Sequence, residues 1–298
     1  MKGYGGQSMV EPLLRVLVCP PVAAGWNQAA RAAQWKELGF LHAPDCWTAQ
    51  KEHSALVKAL AGTGAEICFL PDASAKGLDA VYAHDASLMT DRGAICLRMG
   101  KPQRTDEPAL HRAWYRSAGI PVLGEIEAPG IAEAGDTVWL DAATLLVGRG
   151  YRTNASGIAQ LRSMLTEYGI TVLAAPLPHG NGPETCLHLM SLLSMLNERT
   201  VLVDLSWLAV ETVELLRVRG FRLIEMDYSE RLSLACNVLA LGNDTLLAFE
   251  DNRSTNLRLQ EAGFRVLTFP GGEIGINGGG GPTCLTRPVL RGLAALQL

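Results

Sequence analysis

Five times along the chain, a stretch with helical spacing ends in glycine and passes within a few residues into a short apolar strand. The copies read "LVKALAGTGAEICFLP", "WYRSAGIPVLGEI", "LRSMLTEYGITVLAAP", "VELLRVRGFRLIEM" and "LRLQEAGFRVLTFP". Their anchoring glycines, Gly64, Gly119, Gly169, Gly220 and Gly263, fall 43 to 55 residues apart, a period that belongs to rings and solenoids. Each suits a helix C-terminus, where the backbone must turn through a left-handed conformation. Upstream of most of these helices lie two short apolar runs split by a polar turn, as in "TVWLDAATLLVG" and "NVLALGNDTLLAF". The module is therefore strand, turn, strand, helix, strand. One such unit cannot bury both its helix and its sheet, so several must pack about a common centre, and the expected fold is an α/β ring of ββαβ modules. A doubly wound sheet would alternate strand and helix without the paired short strands. Neither G-x-G-x-x-G after a strand nor G-x-x-x-x-G-K-[ST] occurs, which removes the usual nucleotide signatures.

The 298 residues carry a net charge of -4, which offers no attraction to nucleic acid or an anionic membrane. A small molecule is the expected partner. Seven cysteines, an odd number without a C-x-x-C pair, make neither a disulfide framework nor a zinc site. Cys19, Cys46, Cys68, Cys96, Cys186 and Cys236 read as small buried hydrophobes in a reducing compartment. The start, "MKGYGGQSMVEP", lacks the apolar stretch of a secretory signal, and no apolar run approaches membrane-spanning length. The expectations are a cytoplasmic location, a flexible extension over residues 1–8, and one domain over 9–298.

Chemistry is signalled where polar residues interrupt apolar runs. Cys284 follows Gly278 to Gly281 in "GGGGPTC", where glycines permit close backbone approach and consecutive amides can form a nest that favours a thiolate; a flexible loop before a small buried cysteine is the plainer alternative. In "LDAVYAHDASLM", Asp79, His84 and Asp85 break an apolar run that otherwise reads as a buried strand, and buried carboxylates need cationic partners. Glu133 and Asp136 flank Gly135 just before a strand, a pattern that also suits an ordinary turn. Arg152 precedes a helix that Asn154 or Ser156 can cap, and is free to bind a carboxylate. His188 stands alone in the apolar "ETCLHLMSLLSML", where a satisfied core histidine is the ordinary reading.

Taken in order, these segments resemble the guanidine-modifying pentein superfamily, most closely the dimethylarginine dimethylaminohydrolases. The family's two aspartates six residues apart match Asp79 and Asp85, and its downstream arginine matches Arg104 in "RMGKPQR". The match continues through Glu133 in "EAGD", Arg152 in "RTNASG", His188 in "HLMS" and Cys284 in "GGGPTC". The resemblance implies a five-bladed, pseudo-symmetric α/β propeller with a central site. Three positions depart from it: His84 stands where a Glu is usual, Met190 replaces the aspartate of the H-x-D motif of arginine deiminases and amidinotransferases, and Cys19 in "VCPPVAAGW" stands where many relatives carry a lid arginine.

The resemblance implies a hydrolase that converts methylated arginines into citrulline and an alkylamine, without cofactor or metal. Cys284 would be the nucleophile and His188 acid then base, with Glu133 as the third catalytic residue; Asp79 and Asp85 would contribute to substrate binding, and Arg104 and Arg152 would clamp the substrate carboxylate. Met190, in place of a guanidinium-binding carboxylate, favours a substituted guanidine. The alternatives are an amidinotransferase, an arginine deiminase-type enzyme, and a non-catalytic binding protein on the same ring, like the ribosome anti-association factor. The expected partner is a guanidino small molecule, and a homodimer is compatible with the sequence.

Overall fold

The computed structural model of the chain describes residues 3–71 and 77–292. Five three-stranded sheets make up the frame. Along the chain come β1 (Leu13–Val18), the short α1 (Ala29–Ala32), α2 (Cys46–Ala61), β2 (Glu66–Phe69), β3 (Ser87–Thr90) and β4 (Gly93–Cys96). Then follow α3 (Glu107–Ser117), β5 (Val122–Glu125), β6 (Thr137–Asp141), β7 (Thr144–Arg149), α4 (Ala155–Thr166) and β8 (Thr171–Pro176). Next are β9 (Leu193–Asn197), β10 (Thr200–Val203), α5 (Val210–Val218), β11 (Arg222–Glu225), β12 (Leu239–Gly242) and β13 (Thr245–Phe249). Finally come α6 (Arg253–Glu261), β14 (Arg265–Phe269) and β15 (Arg287–Arg291).

Each blade follows one rule. An antiparallel hairpin such as β6–β7 is followed by a helix, and the third strand returns parallel to the middle one, as β7 pairs with β8. The fifth blade is split between the chain ends: β15 pairs antiparallel with β1, which pairs parallel with β2. That pairing closes the α/β propeller. The first and middle strands of the blades are almost wholly buried, whereas the third strands alternate or lie open at their edges.

Local chemistry accounts for the boundaries. Gly64, Gly119, Gly169, Gly220 and Gly263 all adopt positive φ, between 68° and 100°, the conformation that ends a helix and that side chains disfavour. Asp45 caps α2 by accepting from the Trp47 amide at 2.9 Å, and Asn154 caps α4 by accepting from the Gly157 amide at 2.8 Å. Asn243 and Asp244, both at φ 51°, turn the β12–β13 hairpin. Ile158, Leu161 and Leu165 of α4 are buried, one helical stripe facing its sheet, each contributing roughly 1.5–3 kcal/mol by leaving water.

Three expectations need revision here. The run around Asp79 is not a strand: Leu78–Val81 forms a 3-10 turn and only Ser87–Thr90 is extended, because a turn lets Asp79 and Asp85 point to one place. Residues 3–8 do not hang free; Gly5 bridges Leu290 and the Gly6 amide donates to Asp91 at 2.8 Å. Met1 and Lys2, and the last residues 293–298 of the expected domain, lie outside the described residues. Cys186 is exposed, unlike the buried Cys19, Cys96 and Cys236. Among the described residues no helix is long and apolar enough to cross a membrane.

Two buried histidines brace the β3–β4–β5 blade without carrying charge, His84 against the fifth blade and His111 within the blade itself. His84 Nδ1 meets the Thr286 carbonyl at 2.9 Å, which can only accept, so Nδ1 carries the proton and Nε2 accepts from Arg287 at 3.2 Å. His111 Nδ1 meets Ser87 Oγ at 3.1 Å, and the same hydroxyl meets Tyr115 at 2.7 Å. Burial, helped by Arg287, lowers the pKa of His111 to about 3. The unfolded chain takes up a proton on this residue below its ordinary pKa of 6.5, and the folded chain does not, so the native state loses ground as pH falls through that window. Between pH 7 and 4 the wild type should lose about 3 kcal/mol more stability than His111→Gln, measured by urea unfolding. Parallel pH profiles for the two proteins would remove His111 as the cause.

Candidate functional site

The segment entering the first strand of every blade contributes one polar side chain: Asp85 before β3, Glu133 before β6, His188 before β9, Asn237 before β12 and Cys284 before β15. These segments converge because the first strands are the inner ones. A small cavity of about 30 Å³ is lined by Asp79, Asp85, Arg104, Arg152, His188 and Cys284, all expected from the sequence, together with Tyr82, Lys101 and Cys186. Glu133 lies directly behind His188. A larger groove of about 440 Å³ between Pro176 and Trp207 has no ionisable side chain in its lining, so the chemistry belongs to the smaller cavity.

Glu133 is fully buried and saturated with donors. Its Oε1 accepts from the Gly100 amide at 2.9 Å and the Lys101 amide at 3.1 Å. Its Oε2 accepts from His188 Nε2 at 2.7 Å and Arg152 at 3.2 Å. Burial alone would raise its pKa, but the bond from His188 and the charges of His188 and Arg152 hold it well below the usual carboxylate range. Burial likewise works against a charged His188, yet Cys186, Asp85 and Asp136 raise its pKa well above 6.5. His188 is thus an imidazolium at neutral pH, able to donate a proton. Gly135 makes room for it: a Cβ there would lie 2.4 Å from His188 Nδ1. Asp136 accepts from the Leu189 amide at 2.9 Å, fixing the turn that carries the histidine.

Arg104 departs from its expected role. Its guanidinium donates to both oxygens of Glu107 at 2.9 and 2.8 Å, to Asp85 at 2.6 Å and to the Tyr82 carbonyl at 2.9 Å. So occupied, it has little left with which to clamp a substrate carboxylate, and it serves instead to position Asp85. Glu107 was not legible as its partner until α3 placed it one turn away. Asp79 is held by Lys101, whose Nζ donates to it at 2.5 Å and to the Leu38 carbonyl at 2.7 Å. Lys101 was overlooked because "GKPQR" reads as a solvated loop. Arg152 bonds Glu133 through one nitrogen only, and its other nitrogens meet no partner among the described residues.

The departures from the family pattern also find their places. His84 faces Thr286 and Arg287, outside this cavity. Met190 is buried in an apolar cluster and is not part of the cavity wall, so the preference for a substituted guanidine drawn from it loses its basis. Cys19 is buried just after β1, in the fifth blade, and the segment that follows reaches the site through Leu38 and through Phe40, whose ring fits against Gly278.

The glycine run works by close packing more than by offering free amides. A Cβ at Gly278 or Gly280 would fall within 2.0 to 2.3 Å of Tyr82, while the amides of Gly278, Gly279 and Gly280 bond back to Gly275 and Ile276. Asn237 secures the segment: its Oδ1 accepts from the Thr283 amide at 3.0 Å and its Nδ2 donates to Cys284 Sγ at 3.5 Å. In the empty cavity burial, reinforced by Asp85, pushes the Cys284 thiol up to about 12, against the lowering effect of His188. Burial and Asp85 thus work against the thiolate that the glycine run was expected to favour. Cys186 is exposed as a residue, but its sulfur is enclosed at the cavity wall, 3.6 Å from His188 Nδ1; that enclosure would raise its pKa, but His188 and Arg152 lower it.

Asp85, Glu133 and His188 bring ligand atoms within 4.8 Å of one another, a donor set that could hold a metal ion. Arg104 and Arg152 already hold those carboxylates, so any cation that binds there, metal or organic, does so by exchange with these arginines.

Comparison with known proteins points to the same fold. The arginine deiminase family model matches residues 78–220 and 206–291. A protein of Bacillus subtilis (strain 168), described as uncharacterized, is 30% identical over 82% of this chain and 81% of its own length. A dimethylarginine dimethylaminohydrolase of Pseudomonas aeruginosa is 28% identical over 75% of this chain and 82% of its own. An arginine deiminase of Mycobacterium avium is 29% identical over 71% of this chain, which spans 60% of that enzyme. In structure, a dimethylarginine dimethylaminohydrolase adduct with S-methyl-L-thiocitrulline aligns with TM-score 0.75 at 25% identity, over 92% of this chain and 99% of the other. The N-terminal domain of a cyanobacterial arginine dihydrolase shares the fold with TM-score 0.79 at 22% identity, over 93% and 98%.

The two cavity thiols should differ in reactivity. With limiting iodoacetamide at pH 7.5 and no substrate, peptide mapping should find Cys186 alkylated well before Cys284, since the thiolate is the reacting form. Faster labelling of Cys284 would mean that its thiol is already ionised in the empty cavity.

Proposed function

The chain belongs to the arginine deiminase family, a branch of the penteins, and from that premise we propose that it is a hydrolase cleaving a C–N bond of a guanidino compound by way of Cys284. The observation that carries this reading is the buried Glu133–His188 ion pair beside the cavity that Cys284 shares. Residues 9–298 are proposed to act as one catalytic unit.

A guanidinium resists attack because its charge is delocalised, so the site must supply a strong nucleophile and an acid for the leaving amine. The cationic substrate, drawn to Asp85 and Glu133, lowers the pKa of the Cys284 thiol, whose proton leaves to solvent. The thiolate attacks the central carbon and forms a C–S bond. His188 then gives a proton to the departing amine as the C–N bond breaks, leaving a thiouronium on Cys284. Neutral His188 next takes a proton from water; the C–O bond forms, the C–S bond breaks, and a ureido product leaves. Arg152 serves the substrate's anionic end. Transfer to an amine in place of water would make an amidinotransferase, but nothing observed at the cavity favours a second amine.

The relatives include enzymes named for methylated arginine and for arginine itself, and the leaving group is what an assay decides. Purified protein is given arginine, monomethylarginine, dimethylarginine and guanidino acids, and ureido product is measured. Cys284→Ser should abolish turnover, and His188→Ala should lower kcat by about 10² to 10⁴. Acid-quenched wild type should carry substrate mass on the Cys284 peptide. Undiminished turnover by Cys284→Ser, or label on Cys186 alone, would overturn the mechanism.

A further inference from the structure

Every acid at the cavity already has a cation. Asp85 is held by Arg104, Glu133 by Arg152 and His188, and Asp79 by Lys101 at 2.5 Å. With room for little more than water, a ligand enters only by exchanging with these pairs. If the guanidinium exchanges with the arginines that hold Asp85 and Glu133, at the end where His188 and Cys284 stand, Asp79 is the one cavity-lining carboxylate left for any second positive group. Lys101 occupies it, and is not free to swing away cheaply. Its backbone amide is bound to Glu133 at 3.1 Å, its Nζ is also bound to the Leu38 carbonyl at 2.7 Å, and its side chain is mostly buried.

Lys101 has a further property. An ammonium has three protons, and two are spent on Asp79 and Leu38. The third, and the unspent nitrogens of Arg152, are the donors still open to an anion at the cavity, since Arg104 is taken up by Glu107, Asp85 and Tyr82.

We propose that Lys101 sets the substrate class of this site: by occupying Asp79 and presenting its remaining proton beside Arg152, it selects a guanidino carboxylic acid that has no free α-ammonium group. An arginine-type substrate brings a second cation to a carboxylate that is already neutralised, and must either displace Lys101 or leave its own ammonium unpaired in a buried place. A guanidino acid with the same chain length but no α-nitrogen meets one anion-binding end and one guanidinium-binding end, without a surplus charge. This rests on the guanidine-hydrolase reading above.

The test pairs L-arginine with 5-guanidinopentanoate, its deaminated counterpart, in turnover and in calorimetric binding to Cys284→Ser. Wild type should favour 5-guanidinopentanoate by about tenfold to hundredfold, the range for one charge-assisted contact, expressed in KM more than kcat. Lys101→Met should improve arginine and weaken 5-guanidinopentanoate, narrowing or reversing the preference. Equal loss for both ligands, or a wild type that prefers arginine, overturns the proposal while leaving guanidine hydrolysis standing. Preferential binding of 5-guanidinopentanoate that Lys101→Met abolishes, without turnover of any guanidine, supports the selectivity and sinks the hydrolase reading. No binding of either ligand overturns both.

Discussion

The rest of the site depends on Glu133. It is a carboxylate with no exposure, in a place where an unpaired charge would cost several kcal/mol. Its bonds come from Gly100 and Lys101 after β4, Arg152 after β7 and His188 before β9, so a single side chain ties together the connections of three blades. The bond from His188 Nε2 orients the imidazolium, whose charge burial opposes but Cys186, Asp85 and Asp136 favour, and the bond from the Lys101 amide aims the lysine at Asp79. Removing the carboxylate would leave two buried cations facing each other, a fault that would spread through all three connections.

The frame is pseudo-symmetric and its chemistry is not. Repetition delivers five equivalent entry segments to one place, and each position carries a different residue: Asp85, Glu133, His188, Asn237 and Cys284. A guanidinium needs acids, a proton donor and a nucleophile at once, and separate blades can vary these independently while the strand pairing stays the same. Asn237 makes no charge of its own but holds both the Thr283 amide and the Cys284 sulfur, so the nucleophile's position depends on a neighbouring blade. Rigidity of the sheets is what makes such borrowed positions reliable.

Without a ligand the site is a closed set of ion pairs, and this shapes how it can work. The Cys284 thiol stays protonated because burial and Asp85 both disfavour its ionisation. Under the proposed mechanism, a cation exchanging into the place beside Asp85 would offset that repulsion and favour ionisation of Cys284. Specificity then follows from exchange: a ligand is accepted to the extent that its charges replace those it displaces, with few buried groups left unpaired.

Much of the architecture could be read from the chain because it rests on local chemistry. Helix ends require glycine at positive φ, hairpins require Asn243 and Asp244, and strand runs repeat at a steady period, so five modules were visible before any contact was known. Cys284 after its glycine run and His188 in an apolar segment were conspicuous by themselves, but an ordinary turn and a core histidine explained Glu133 and His188 equally well until the family resemblance gave them roles. Pairings were another matter. The resemblance made Arg104 a substrate clamp, and it is consumed by Glu107 and Asp85; His84, where a Glu is usual, turns to Arg287; Lys101, Asn237 and Cys186 gave no sign of their roles. Some of these pairings are local, as Arg104 with Glu107, but others depend on which distant segments meet: Asn237 and Cys284 are 47 residues apart, and His84 and Arg287 are 203 apart. A charge satisfies itself with whatever the closed ring brings within about 3 Å, and that distance exists only once β1 and β15 have joined the two ends of the chain.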